Sequence, residues 1–463
     1  MSFAPSSSNN GTAPQAGDKR KQHDDNVKEY FPDVPVITYK GPDSTDPMSF
    51  RYYNADELIM GKPMKEWLRF SVCYWHTFRG NGADPFGFPT MVRPWEEGSD
   101  DPMEIAKRRA DAAFELFVKL GVEYYTFHDR DVAPEMDTLE KTNEALWEMV
   151  RYLHDKQSTT HIKLLWATQN LFSHPRYMNG GFTNPDAHVV AHAAAQVKQV
   201  LDLNHYLGGQ NVVFWGGREG YQSILNTRIK TELDHMAQIF KMVISYKEKK
   251  GMTAQLLIEP KPREPTKHQY DYDAQTTMCF LQTYGLEKHF KLNIEPNHTT
   301  LAGHDFEHDI IVASQYGMLG SVDSNTGDPL VGWDTDQFPM DVKKATLVMG
   351  VILNAGGLAP GGLNFDCKVR RESTDASDLF IGHIGAMDTF ARGLRNAAKL
   401  KQDGVLEQML DARYSSFSHG IGKQIEDGTA TLEDCESYIL EHGNPQPKSG
   451  QQELYEMILN RYT

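Results

Sequence analysis

Glu259, Glu295, Asp323 and Asp366 each close a short apolar segment, in "LLIEP", "LNIEP", "SVDS" and "LNFD". A single carboxylate in such a place is ordinarily a helix N-cap or a solvated turn. Four in succession, brought side by side, would gather charges that cannot all stay ionised within a few ångströms unless a cation lies between them. "VGWDTDQFP" adds Asp334 and Asp336, which in an extended segment point the same way. His298 follows Glu295 by three residues. Six carboxylates and one imidazole exceed what one magnesium-sized ion can use, and they suit two octahedral cations sharing a bridging carboxylate. Oxygen-rich ligands without a thiolate favour Mg2+, Mn2+ or Co2+ over a structural zinc. In "FHDRD", Asp131 lies close enough to His128 to fix its tautomer, as a proton-shuttling imidazole requires, although a lone pair of this kind also serves as hydrogen-bonded scaffolding.

These residues need elements that converge. From about Lys65, short apolar segments alternate with helical stretches: "WLRFSVCYW", "VEYYTFHD", "IKLLWAT", "NVVFWGG", "AQLLIEP", "KLNIEP", "LGSVDSN" and "GGLNFD". In "DPMEIAKRRADAAFELFVKLG", Met103, Ala106, Ala110, Ala113, Phe114, Phe117 and Leu120 recur at three- and four-residue spacing, with Pro102 suited to the first turn and Gly121 to the stop. Strand-then-helix units repeated eight times predict an α/β fold of the (β/α)8 TIM-barrel type rather than an open doubly wound sheet. "WGGREG" and "NAGGLAPGG" lack the GxGxxG spacing of a dinucleotide loop. Chemistry in such barrels sits at the C-terminal ends of the strands. Those ends carry, in order, Trp75, His128 with Asp131, Thr168, Trp215, Glu259 with Lys261, Glu295 with His298, Asp323, and Asp366.

The expected organisation is a disordered tail over 1–26, an N-terminal extension packing on the barrel over 27–64, the barrel over 65–387, and a C-terminal helical arm over 388–463. The arm has too thin an apolar stripe for a core of its own and is expected to embrace a neighbouring subunit. A net charge of −16 argues against binding nucleic acid. Cys73, Cys279, Cys367 and Cys435 are far apart and lack zinc or disulfide spacing. No run of eighteen apolar residues and no signal-peptide core occur, so the expectation is a soluble, cytoplasmic protein with no membrane partner.

The motifs "YWHTFRGNGADPFG", "FHDRDVAPE", "VFWGGREGY", "LIEPKPREPTKHQYD", "IEPNHTTLAGH", "NTGDPLVGWDTDQF" and "NFDCKVRRESTD" stand in an order and spacing that resemble the xylose isomerase family, in its longer class with an extended N-terminus. The resemblance implies a homotetramer using two divalent cations per subunit to convert D-xylose to D-xylulose, and D-glucose to D-fructose. It implies that Glu259, Glu295, Asp323 and Asp366 hold one metal, with Glu295 bridging to a second completed by His298, Asp334 and Asp336. His128 with Asp131 corresponds to the ring-opening pair and Lys261 to a group near the sugar's O1. Trp75 and Trp215 resemble apolar walls, Thr168 a polar wall, and Phe86 an aromatic reaching into a neighbour's site. Glu264-Pro265 falls at a cis peptide of the family. Pro296 after the bridging Glu, and Cys367 after the last ligand, depart from its pattern. Isomerisation could pass through an enediol or by hydride shift from C2 to C1, and a ligand set that leaves no free carboxylate as base favours hydride.

Overall fold

Eight parallel strands close on themselves in the computed structural model, which describes residues 28–463. They are β1 (Phe70–Cys73), β2 (Tyr124–His128), β3 (Lys163–Thr168), β4 (Asn211–Trp215), β5 (Gln255–Glu259), β6 (Phe290–Ile294), β7 (Leu319–Asp323) and β8 (Leu363–Phe365). Closure is made by β8 on β1, with Leu363 opposite Phe70 and Phe365 opposite Val72. All eight apolar segments of the sequence are therefore barrel strands. The strands read as nearly unbroken apolar runs because both faces are covered, as parallel sheets require. Tyr124, Leu165, Trp166, Val213 and Leu257 form one buried cluster, with Trp75 packed against it. The larger core includes buried residues of strands and helices alike, Phe214 and Phe290 against Phe240 among them.

The outer ring comprises α1 (Pro102–Leu120), α2 (Leu139–Thr160), α3 (Ala187–Tyr206), α4 (Ile229–Lys250), α5 (Ala274–Tyr284), α6 (His308–Gln315), α7 (Val342–Asn354) and α8 (Ala376–Asp403). In α1, Asp101 accepts from the Met103 amide, Pro102 opens the first turn, and Gly121 ends the helix at φ 75°, a left-handed conformation that glycine adopts without a Cβ clash. The apolar positions read from the sequence face inward, Ala106, Ala110, Ala113, Phe114, Phe117 and Leu120 all being buried.

The segment before β1 is tied to the ring by two carboxylates. Glu115 of α1 accepts from the amides of Tyr30 and Phe31 at 2.7 and 3.0 Å, and Asp388 of α8 accepts from those of Arg51, Tyr52 and Tyr53 at 2.7–2.8 Å. Helix α8 is continuous from Ala376 to Asp403, across position 388, because its buried stripe runs on through Phe390, Leu394 and Ala398. Beyond it, helices Val405–Tyr414, Gly420–Glu426 and Leu432–His442 bury no residue, and Gln452–Leu459 buries only its last two, Ile458 and Leu459. The expected tail over 1–26 lies outside the described residues.

Candidate active site

The C-terminal ends of the strands deliver nearly all the chemically capable residues to one cavity. His128, Thr168, Trp215, Glu259 and Asp323 are the last residues of β2, β3, β4, β5 and β7, and Glu295 and Asp366 stand one residue beyond β6 and β8. Trp75 lies past β1 in a wide π-type turn, Trp75–Arg79, and packs against the buried cluster inside the barrel. Trp75, His128, Thr168, Trp215, Glu259, Lys261, Glu295, His298, Asp334, Asp336 and Asp366 line the cavity. Asp323 lies buried beneath it and Asp131 behind His128. Phe86 does not join them: it is 78% exposed and stacks on Trp333 at 5.4 Å, beside a neighbouring groove.

The carboxylates are held by a lattice of asparagine amides. Asn293 donates to Glu259 and to Asp323, each at 2.9 Å, and Asn364 donates to Asp323 at 2.8 Å. Asn325 donates to Glu295 at 2.7 Å and to the Asp366 carbonyl at 3.0 Å. Neutral amides fix geometry without cancelling charge, so the crowding shows in the proton affinities. Burial, then Asp323 and Asp366, push Glu259 well above the usual carboxylate range; burial, then Asp334 and Asp366, do the same to Glu295. Asp323 is pushed up to about 8, by burial and then by Asp366.

Asp334 and Asp336 do not lie on an extended segment. Asp336 has φ 44°, in the left-handed region, and the chain there pairs through the Thr326–Gln337 bridge. The two carboxylates still meet, both accepting from the Asn297 side chain. Burial works against the charge on Asp334, yet Lys261 at 2.5 Å and His298 at 3.4 Å hold it well below the usual range. Lys261 is raised in turn, Asp334 and Glu295 outweighing its burial. On the opposite wall, His128 Nδ1 pairs with Asp131 at 2.9 Å, and the same Asp131 oxygen accepts from the His128 amide at 2.8 Å. This leaves Nε2 of His128 as the nitrogen not engaged by Asp131. Trp75 meets the His128 ring edge-on at 4.5 Å. Thr168 directs its hydroxyl to the Val213 carbonyl at 2.7 Å.

Divalent cations fit this donor set. Glu295 belongs to three groups whose ligating atoms all lie within 4.8 Å of one another: with Glu259 and His298, with Asp323 and Asp366, and with Asp334 and Asp336. A carboxylate common to all three is what a bridging ligand requires, and oxygen donors with one imidazole suit hard or borderline ions. The departure at Pro296 has a local reason, since it opens the short helix Pro296–Leu301 that carries His298, where a missing amide hydrogen costs nothing. Glu264-Pro265 is cis, as the motif implied.

Several participants escaped the sequence reading. His76 places Nε2 2.9 Å from Asp336 and 3.1 Å from Asp366; burial opposes its charge, but these two partners raise it to about 9. Lys368 reaches Asp336 at 3.3 Å. Phe172 stands between Trp215 (4.7 Å) and His128 (5.4 Å), completing the apolar wall. The asparagines carried a readable signal: Asn293, Asn325 and Asn364 stand two residues from Glu295, Asp323 and Asp366, hence on the same face of a strand-like segment.

A family model described as a xylose isomerase-like TIM barrel matches residues 114–329, and another described as the XylA2 C-terminal domain matches residues 410–463. The chain is 54% identical over 434 residues to a xylose isomerase of Thermoanaerobacter pseudethanolicus, covering 94% of this chain and 99% of that protein. It is 53% identical over 442 residues to a xylose isomerase of Arabidopsis thaliana, covering 96% and 92%, and 51% identical over 436 residues to one of Thermotoga maritima, covering 94% and 98%.

Proposed function

The chain belongs to the xylose isomerase family and isomerises xylose to xylulose; from that premise we propose how its own residues do so. Family membership implies divalent cations. In this reading there are two per subunit, Mg2+ or alternatively Mn2+ or Co2+. Glu259, Glu295, Asp323 and Asp366 would hold the first, and Glu295 with His298, Asp334 and Asp336 would hold the second. The observation that carries this assignment is the membership of Glu295 in three ligand groups at once. When bound, the cations supply Lewis-acid polarisation of the sugar's O1 and O2 and lower the pKa of the O2 hydroxyl.

The protein's own groups supply the rest. Nε2 of His128, with its tautomer fixed by Asp131, takes and returns the proton that moves between O1 and O5 as the pyranose ring opens. Lys261 directs its charge at O1. Trp75, Phe172 and Trp215 cover the apolar face of the sugar and exclude water, with Thr168 between them. In the open chain the C2 hydrogen moves with its electron pair to C1, while the O2 proton passes to O1; C2 becomes the carbonyl and C1 the hydroxymethyl carbon. Among the described residues every carboxylate lining the cavity belongs to the proposed ligand set, which leaves no free carboxylate as base for an enediol route. The same site accepts D-glucose and returns D-fructose.

We read the working form as a cytoplasmic homotetramer. The helices after α8 leave Leu410, Tyr414, Phe417, Ile425 and Leu440 exposed, and Phe86 projects from the mouth where a neighbour's site would receive it. No helix among the described residues is long and apolar enough to cross a membrane. Chelation followed by assay with xylose, adding back Mg2+, Mn2+ or Co2+ singly, tests the metal assignment; full activity in chelator refutes it. Turnover in heavy water tests the route. Aldose recovered without solvent deuterium at C1 or C2 is expected, and substantial incorporation would sink the hydride shift.

A further inference from the structure

Among the residues that do not line the mouth cavity, His304, His308 and Asp309 bring together one ligating atom each within 4.8 Å of one another. His304 lies in the turn after the short helix Pro296–Leu301, and His308 and Asp309 open α6. The two imidazole rings stack with centroids 4.3 Å apart and planes at 25°. Beside them Asp273, the N-cap of α5, divides its oxygens: Oδ1 accepts from the Thr276 amide at 2.7 Å, and Oδ2 meets Nε2 of His304 at 3.2 Å.

Helix capping accounts for half of this arrangement. Asp309 uses Oδ2 to accept from the Ala274 amide at 3.1 Å, the first residue of α5. Its other oxygen, on a residue left 3% exposed, has no hydrogen-bond partner among the described residues, and neither does the buried Nε2 of His308. Burial raises Asp309 above the ordinary carboxylate range, as expected of an oxygen with no donor facing it. Buried polar atoms without partners are rare and point to an unseen ligand, water or ion. With Nε2 of His304 engaged by Asp273, its Nδ1 remains for coordination. An imidazole whose second nitrogen is held by a carboxylate is the arrangement that orients a metal-binding histidine.

We propose that His304, His308 and Asp309 bind a divalent transition-metal ion of the zinc, cobalt or nickel class, at a site separate from the cations of the barrel mouth. Two imidazoles and one carboxylate prefer such ions to Mg2+, in contrast to the oxygen-dominated mouth. The positive end of α6 opposes a cation here, and the charges of Asp309 and Asp273 offset it. A bound ion ties the start of α6 to the start of α5 through Asp309 and braces the turn that follows the His298 helix.

Equilibrium dialysis of the full chain against Co2+ or Zn2+ should find one more tightly bound ion per chain in the wild type than in His304→Gln/His308→Gln, since both proteins keep the carboxylate mouth. Equal counts overturn the site. Asp309→Asn retains an oxygen for the Ala274 amide while removing the anionic donor, and it decides the question should the double variant fail to fold. Its affinity for that additional ion should fall about tenfold or more. An unchanged affinity also overturns the proposal.

Discussion

The two halves of the barrel mouth are built from opposite materials. Strands β1 to β4 deliver Trp75, His128, Thr168 and Trp215, whereas β5 to β8 deliver Glu259, Glu295, Asp323 and Asp366. In the first half His128 pairs with Asp131, Thr168 with a backbone carbonyl, and the rings pack edge to face, while the Trp75 indole donates across the mouth to Asp366 at 2.8 Å. In the second half, amides position the carboxylates but leave their charge uncancelled, so burial and mutual repulsion raise Glu259, Glu295 and Asp323 together. One half is therefore a largely apolar surface, free of crowded carboxylates, that can receive a sugar. The other is an incomplete electrostatic arrangement that divalent cations complete.

If that division holds, substitutions in the second half should strike metal binding and turnover together, and those in the first should strike the handling of substrate. The largest effect is expected for Glu295→Gln, which removes the carboxylate common to three ligand groups. Turnover should fall by about 10³-fold or more with both cations weakened, measured by steady-state assay alongside equilibrium dialysis. Losing one ion while the other binds normally would show that Glu295 does not bridge. Asp336→Asn should cost about 10²-fold or more in kcat yet leave the first cation and the fold in place. Near-normal activity would remove Asp336 from the second site.

His128→Asn probes the other half. A loss of about 10²-fold in kcat/KM on the ring-closed sugar is expected, with a much smaller loss on an open-chain analogue. Equal losses on both would mean that His128 serves a later step, and the contrast between the halves would then lie in charge alone.

The same contrast explains what the sequence disclosed. The barrel was legible because each strand is covered on both faces and so appears as an unbroken apolar run closed by a polar residue, eight times over. The carboxylates were legible because they end those runs. Residues that reach the mouth by irregular backbone were harder to read. His76 arrives on a π-type turn with no apolar periodicity, and Lys368 comes from the loop after β8. Asp334 and Asp336 looked like an extended pair, but a left-handed residue at Asp336 turns the loop, a conformation that an aspartate does not announce. Phe86 is a case of a different kind: it stacks on Trp333 outside the cavity, and any part it takes in a site depends on a second subunit.

The smallest test separates burial from like-charge crowding as causes of a shifted proton affinity. His383, on α8 behind the carboxylate half, packs against Phe338 and Phe365 and is fully buried. Among the described residues no carboxylate pairs with it; Nδ1 donates to the Leu379 carbonyl, and Nε2 has no partner. Burial lowers it to about 4, far from the direction the mouth carboxylates take, because burial disfavours whichever form is charged. The unfolded chain takes up a proton here near pH 6.5, while the folded chain resists until about 4. Stability is therefore present above pH 6.5 and is lost as pH falls toward 4. Between pH 7 and pH 5.5 the loss from this residue should be about 1 kcal/mol. Denaturant unfolding at the two pH values, compared between wild type and His383→Leu, isolates it, because every other titrating group is common to both proteins. A difference that stays flat with pH would show that His383 is not held neutral by its surroundings, and that burial alone is too weak in this barrel to account for the raised carboxylates on the other side of β8.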